Sequence, residues 1–291
     1  MRRAAGYAIA VIVLVVALVL VIPPGRRHWR APEKMLTEPR ELFTGPSIYR
    51  MTDAELDNFL RELSEKGAPF FDRMRILALG RIGTPYERGC LGEEDGFDPD
   101  PIFRIDRTDC TVFILTQAAM VHASSLEQAR SNMLPANYRP VVGSNRVTYE
   151  NRLHFTVDRL GSSPYFRDVT RIIARGAPLK EATVVLNRKA DGTSLLPVPW
   201  EREVTIAYFS VEDLDRRVLG RLPPVVGAAL VREKQFEIGV IAAHEGIILD
   251  RRDFVHASST AGEVVKVPFM QYLLPEDEPP RFDGVIFYEF R

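Results

Sequence analysis

The stretch Arg107–Ser124, RTDCTVFILTQAAMVHAS, constrains the chain more than any other. Asp109 is a favoured helix N-cap, and Val112, Phe113, Leu115, Thr116, Ala119 and Met120 follow at helical spacing. That pattern predicts a helix around which the other elements must be arranged. Cys110 falls in its first turn, among unpaired backbone N–H groups at the positive end of the helix dipole. Such a setting lowers a thiol pKa and favours the nucleophilic thiolate. A small residue simply buried at a helix start would look the same.

Elements on either side differ in kind. Upstream, Thr52-Asp53-Ala54-Glu55 reads as a capping box opening a helix with Leu56, Phe59, Leu60 and Leu63 on one face. A second helix is expected from about Pro69 to Ile82, broken by Gly83-Thr84-Pro85-Tyr86. Residues 87–106 are acidic and rich in Gly and Pro, which predicts a long loop of the kind that often carries function. Downstream, a short helix is expected over 126–134 and another at the end of 145–160. VTRII, ATVVLN and EVTIAYF between 165 and 210 read as strands with a turn at Asp191-Gly192, and Ser210 as the cap of a helix over 211–219. From Val225 onward strand follows strand: Val225–Arg232, Ile238–Ala243, Gly246–Leu249, Phe254–Ala257, Val264–Val267 and Phe282–Phe290. Helices first and an antiparallel sheet second predict an α+β fold.

The amino terminus is of another character. Residues 6–22 are uniformly apolar or small, Arg2 and Arg3 precede them, and Pro23-Pro24-Gly25 ends the run. With Ala4 and Ala5 it is long enough for a membrane-spanning helix. No small-residue cleavage site follows, which favours an uncleaved signal anchor over a cleaved signal peptide. The expected organisation is an anchor over 1–25, a juxtamembrane linker over 26–50, and one domain over 51–291. A formal net charge of −1 argues against a nucleic-acid surface. Two cysteines, Cys90 and Cys110, make no disulfide framework, and one bridge between them would consume the candidate nucleophile. His, Asp and Glu do not recur at metal-ligand spacing, so no metal and no cofactor are expected.

A thiol nucleophile needs a base, and the base needs a third group to fix its tautomer. His244 in IAAHEGIIL and His256 in DFVHASS lie twelve residues apart. A hairpin turning near 250–253 would put both on one face of a sheet, where the Cys110 helix start could pack. His244 would be the base and His256 its orienting partner. Each histidine also suits an ordinary hydrogen-bonded place in a strand.

The segments DCTVF, AAHEGIIL and FVHASS, in this order, resemble the active-site segments of NlpC-type, papain-like cysteine peptidases and amidases of bacterial cell walls. RILALGRIGTPY at 75–86, IDRTDCTVF at 105–113, ENRLHF at 150–155 and HASSTAGEVV at 256–265 are similar to a narrower branch, the N-acetylmuramoyl-L-alanine amidase-like proteins. The resemblance covers about residues 70–291. It implies a papain-like domain of helices packed on an antiparallel sheet, with Cys110, His244 and His256 as a triad. It further implies that Tyr86 lies near the oxyanion and that ENRLHF lines the cleft. Asp109, Arg152 and His154 are thereby candidates for the oxyanion and substrate wall, Arg152 as partner of a substrate carboxylate. Two departures stand out: Val226-Gly227-Ala228 where the family carries a Gly-Asp pair, and Gly89-Cys90-Leu91-Gly92 after the tyrosine.

The implied activity is hydrolysis of the amide between N-acetylmuramic acid and L-alanine in peptidoglycan fragments, by a monomer held at the inner membrane with its domain in the periplasm. Two other readings stay open at this stage: an endopeptidase cutting the γ-D-glutamyl–diamino acid bond of the stem peptide, and a catalytically silent, membrane-tethered cell-wall binding module.

Overall fold

The computed structural model describes residues 47–140 and 147–291. The expected anchor over 1–25 and nearly all of the expected linker lie outside the described residues. Among the described residues, no helix is long and apolar enough to cross a membrane.

Five α-helices precede the first strand among the described residues. Helix α1 (Asp53–Glu65) opens on the expected capping box, Thr52 accepting from the Glu55 N–H and Glu55 reaching back to the Thr52 N–H. Helix α2 (Phe70–Gly80) follows, then α3 (Cys110–Val121) and α4 (Leu126–Asn137). The Asp109 carboxylate caps α3 by accepting from the Val112 N–H at 2.8 Å. Every residue of α3 from Val112 to Val121 is buried, so this helix is enclosed on all sides.

The remaining elements are α5 (Thr156–Ser162), β1 (Phe166–Asp168), α6 (Thr170–Ala174), β2 (Lys180–Leu186), β3 (Arg202–Ser210), α7 (Arg216–Leu219) and β4 (Val225–Val231). They continue with β5 (Ala242–Leu249), β6 (Asp253–Ser258), β7 (Glu263–Pro268), α8 (Phe269–Leu273) and β8 (Gly284–Phe290). The strands form one antiparallel sheet in the order β2-β3-β8-β4-β5-β6-β7, with β1 also pairing β8. Two cores flank it. Helices α1 to α4 pack on the face carrying Ala229, Ile247, Val255, Ala257 and Tyr288. The smaller α6, α7 and α8 cover the face carrying Val226, Ala228, Leu230, Ile248 and Phe254. The α+β expectation holds, with this second helical layer added.

Three local expectations need correction. VTRII is not a strand: Thr170–Ala174 is the helix α6. The Asp168 carboxylate accepts the Thr170 N–H at 2.8 Å, and Val169, Ile173 and Ala174 are buried together against the sheet. Burial here outweighs the strand preference of β-branched residues. Ile238–Ala243 is not one strand either, because Gly239 turns the chain at φ 71° and β5 begins at Ala242. Ser210 makes no side-chain cap. Asp215 caps α7 instead, accepting from the Arg217 and Val218 N–H groups.

Candidate active site

The hairpin β5–β6 turns where expected, with Asp250 and Arg251 both in the left-handed region. Its pairing runs Leu249↔Asp253, Ile248↔Phe254 and Ile247↔Val255 and goes no further. Beyond that point β5 remains paired only with β4 and β6 only with β7. An opening is left between the first residues of β5 and the last of β6. Gly246 sits at its apex, because a Cβ there would collide with the Phe254 ring and the His256 Cβ.

The segment before α3 closes on this opening. Gly83, Thr84 and Tyr86 hydrogen-bond to Val264 and Gly262 along the free edge of β7. Thr108 bonds in turn to Pro85 and Glu87. These bonds deliver Cys110 to the sheet. The backbone N–H of Glu245, the residue after His244, acts on the Cys110 sulfur and favours its thiolate.

His244 and His256 share one face of the sheet and are hydrogen-bonded, Nε2 of the first to Nδ1 of the second at 2.8 Å. Their rings meet edge to face at 4.8 Å. Phe254 stacks on His256, Tyr272 lies against it at 4.5 Å, and Phe282 is stacked with His244 at 6.3 Å. The expectation that α3 packs on the histidine face is corrected. Its body packs on the opposite face, with Ile247 and Val255, and only its first residue reaches the opening. Side chains alternate along a strand, so Glu245 points toward α3 where His244 points away.

A second expectation also fails. Cys110 is half-buried, and its thiol is not shifted toward the thiolate. Burial pushes it up to about 12, and the carboxylates of Glu245 and Asp109 add to the shift. The Glu245 N–H and the Thr111 hydroxyl oppose it without reversing it. Loss of water around the sulfur outweighs the helix end. Burial also holds His244 down to about 4 and, with the neighbouring His244 and Arg281, His256 down to about 3. The resting thiol and both imidazoles are therefore neutral.

Tautomer logic then fixes the protons. If Nδ1 of His244 is to accept a proton from the thiol, its Nε2 must carry hydrogen and donate to Nδ1 of His256. His256 then carries its own hydrogen on Nε2, a buried atom with no hydrogen-bond partner in the structure.

Tyr86 is half-buried beside the nucleophile. Its hydroxyl is held above the ordinary phenol range by burial first, then by Cys110 and Asp109. Asp109 is fully committed as a brace, one oxygen capping α3 and the other accepting the Gly89 N–H at 2.8 Å. Arg152 is committed too: its guanidinium donates to Glu93 at 2.7 Å and Asp98 at 3.0 Å. It thus fastens the long loop to the 149–154 segment. His154 hydrogen-bonds the Tyr149 carbonyl at 2.6 Å and packs on the Tyr149 ring. Burial holds it down to about 4. Among the described residues, the hydrogen bonds and ring contacts of Arg152 and His154 go to this wall and to Trp200, and none reaches the cysteine or the two strand histidines. Cys90 is buried, and both cysteines are free thiols.

Sequence reasoning missed the group next to Cys110. Glu245 is buried and accepts from Thr111 Oγ1 at 2.9 Å, Arg159 Nη2 at 2.5 Å and the Tyr288 hydroxyl at 3.2 Å. Arg159 is itself fully buried, its guanidinium 5.1 Å from the Phe166 ring centre. Gly227 opposite Tyr288 makes room for the phenol ring that reaches Glu245. The available signal was a single carboxylate inside the apolar run of AAHEGIIL.

The depressed histidines make stability depend on pH with a definite sign. Between the unfolded value near 6.5 and the folded value near 4, the unfolded chain binds protons that folded His154 and His244 refuse. Their contribution is complete above pH 6.5 and is lost as pH falls toward 4, by at most about 1.4 kcal/mol per pH unit for each. Urea unfolding should show a lower midpoint at pH 5 than at pH 7.5, and His154→Gln should flatten that difference. Equal slopes in the two proteins would contradict the assignment.

Residues 79–278 match the AmiA-like family, described as N-acetylmuramoyl-L-alanine amidase-like. No curated protein matches. Among solved structures, a Legionella pneumophila protein of the DUF1460 family superposes with a TM-score of 0.65 at 20% identity, over 82% of this chain and 97% of that one. An N-acetylmuramoyl-L-alanine amidase from Bacteroides uniformis superposes with a TM-score of 0.58 at 20% identity, over 76% of this chain and 99% of that one. At such identities the likeness is one of fold.

Proposed function

Because this chain belongs to the N-acetylmuramoyl-L-alanine amidase-like family, we propose that it hydrolyses the amide joining N-acetylmuramic acid to L-alanine in peptidoglycan fragments, using Cys110 in an NlpC-type, papain-like arrangement. The observation that carries the reading is the 2.8 Å His244–His256 hydrogen bond on a strand whose next residue, Glu245, meets Cys110 at the start of α3. Cys110 attacks the lactyl carbonyl while Nδ1 of His244 takes its proton. Thiol and imidazole both begin neutral, so proton transfer accompanies attack. The imidazolium then donates through Nε2 to His256. The Cys110 backbone N–H and the Tyr86 hydroxyl hold the oxyanion. His244 returns the proton to the alanine nitrogen as the C–N bond breaks. Water, deprotonated by His244, hydrolyses the thioester, releasing the muramic carboxylate and the free thiol. In this reading the apolar run at 6–22 anchors the enzyme in the inner membrane with the domain on the periplasmic side.

The test is a pair of substrates read by mass. A muramoyl tripeptide should be cut between sugar and L-alanine, while the free L-alanyl-γ-D-glutamyl–diamino acid tripeptide survives. Binding of the sugar, remote from much of the peptide, helps position the scissile bond, so its removal should lower kcat as well as affinity. Release of L-alanyl-D-glutamate from the free tripeptide would overturn the amidase in favour of a stem-peptide endopeptidase. Failure to cut either would leave a binding module.

A further inference from the structure

Two arginines stand over the histidine face, outside the proposed triad. The guanidinium of Arg281 lies 5.5 Å from the centre of the Tyr272 ring, and that of Arg232 lies 5.2 Å from the centre of Phe282. The two rings are 6.0 Å apart. Tyr272 is 6.1 Å and Phe282 6.3 Å from the ring of His244. Each cation is thus one aromatic ring removed from the proposed base. Arg232 donates to the Arg281 carbonyl at 2.9 Å, which ties the pair together. Arg281 has a loose ion pair with exposed Glu278 at 3.6 Å. Both arginines are exposed, and these contacts use few of the five donors each guanidinium carries.

The charge of Arg281 reaches the partner of the proposed base, His256, and helps hold it neutral. An anion seated on the guanidiniums offsets that charge. Aromatic stacking holds a guanidinium fork in a fixed plane, which suits bidentate recognition of a carboxylate. On the proposed substrate, the α-carboxylate of D-glutamate lies five bonds from the scissile nitrogen, one residue beyond L-alanine. At roughly 3.3–3.6 Å per three-bond residue of extended chain these five bonds reach about 6 Å, which matches the 6.1 and 6.3 Å from His244 to the two rings.

We propose that Arg232 and Arg281 form a carboxylate clamp for the stem peptide, seating the α-carboxylate of its D-glutamyl residue on the leaving-group side of the cysteine. The proposal rests on the amidase reading for the identity of the scissile bond. The clamp binds the leaving peptide and offsets the Arg281 charge felt at His256. It selects free D-glutamyl stems over those amidated to D-isoglutamine.

The test compares two muramoyl tripeptides differing only in that group, carboxylate against carboxamide, with purified full-length protein. The wild type should favour the carboxylate by about 10–100-fold in kcat/KM, as expected for charge-assisted recognition of an ionised group. In the double variant Arg232→Gln/Arg281→Gln this ratio should fall to near one, and Arg281→Lys should give an intermediate ratio. A parallel measurement does not depend on turnover: the sugar-free tripeptide is titrated calorimetrically into the Cys110→Ala protein. The carboxylate form should bind at least about tenfold more tightly than the amide, and the double variant should erase the difference. Carboxylate-dependent binding without any muramoyl hydrolysis would sink the amidase reading and leave the clamp standing. Hydrolysis with no carboxylate preference would overturn the clamp alone. So would a double variant that slows both substrates equally, since the arginines would then only brace Tyr272 and Phe282.

Discussion

Cys110→Ala is expected to lose amide hydrolysis by roughly 10⁴–10⁶-fold, the scale on which a covalent nucleophile is missed. The fold should be intact, because the substitution removes only a sulfur from a half-buried helix start whose cap, Asp109, is untouched. His244→Ala should follow at about 10²–10⁴-fold, the usual worth of a general base. His256→Ala should cost less, because it acts on the base through one hydrogen bond rather than on the substrate. The order Cys110, His244, His256 in kcat, with unchanged circular dichroism, is the measurement. A His256 variant slower than the His244 variant would reverse the two roles. The neutral resting pair adds a distinguishing feature. A thiol near 12 should react sluggishly with iodoacetamide at pH 8 in the free protein. Glu245→Gln should hasten that alkylation by removing a carboxylate that raises the thiol.

The second large effect concerns stability. Arg159 and Glu245 are a buried ion pair at 2.5 Å, linked through Thr111 to the first turn of α3. Breaking such a pair from one side typically costs about 3–5 kcal/mol, because the remaining charge is stranded away from water. At roughly 2–4 °C per kcal/mol for a domain of this size, Arg159→Ala should lower Tm by about 6–20 °C. Glu245→Ala should be as severe and should also free Thr111, loosening the first turn of α3 where Cys110 sits. Replacing both together, Arg159→Met with Glu245→Gln, should recover much of the loss, since two uncharged groups leave no stranded ion. If each single variant melted within about 2 °C of the parent, the pair would not be the internal brace described.

Much of the arrangement was legible in the residues. The Thr52–Glu55 capping box, the Asp109 cap and the apolar periodicity of α3 are local signals, and each formed the element it implied. The α+β order was legible as well, because strand-forming segments follow helical ones along the chain. So was the hairpin that brings His244 and His256 onto one face. Strand alternation and a short turn fix that geometry from about ten residues, with no reference to the rest of the molecule.

What the local pattern could not decide was set by contacts between residues far apart. VTRII became a helix because its apolar side chains are buried against the sheet. Burial, not the helix end, governs the Cys110 thiol, and burial depends on everything packed around it. The parting of β5 and β6 lets the start of a helix packed on one face reach the strand that carries His244, and the residues of one hairpin hold no hint of that opening. Glu245 and Arg159 are separated by 86 residues and read separately as ordinary charges. Only the folded chain puts them in contact. The sequence singled out Cys110, His244 and His256 as candidates. The tertiary structure decided their protonation, their faces and the charges around them, because solvent exclusion and Coulomb interactions depend on distance in space rather than separation along the chain.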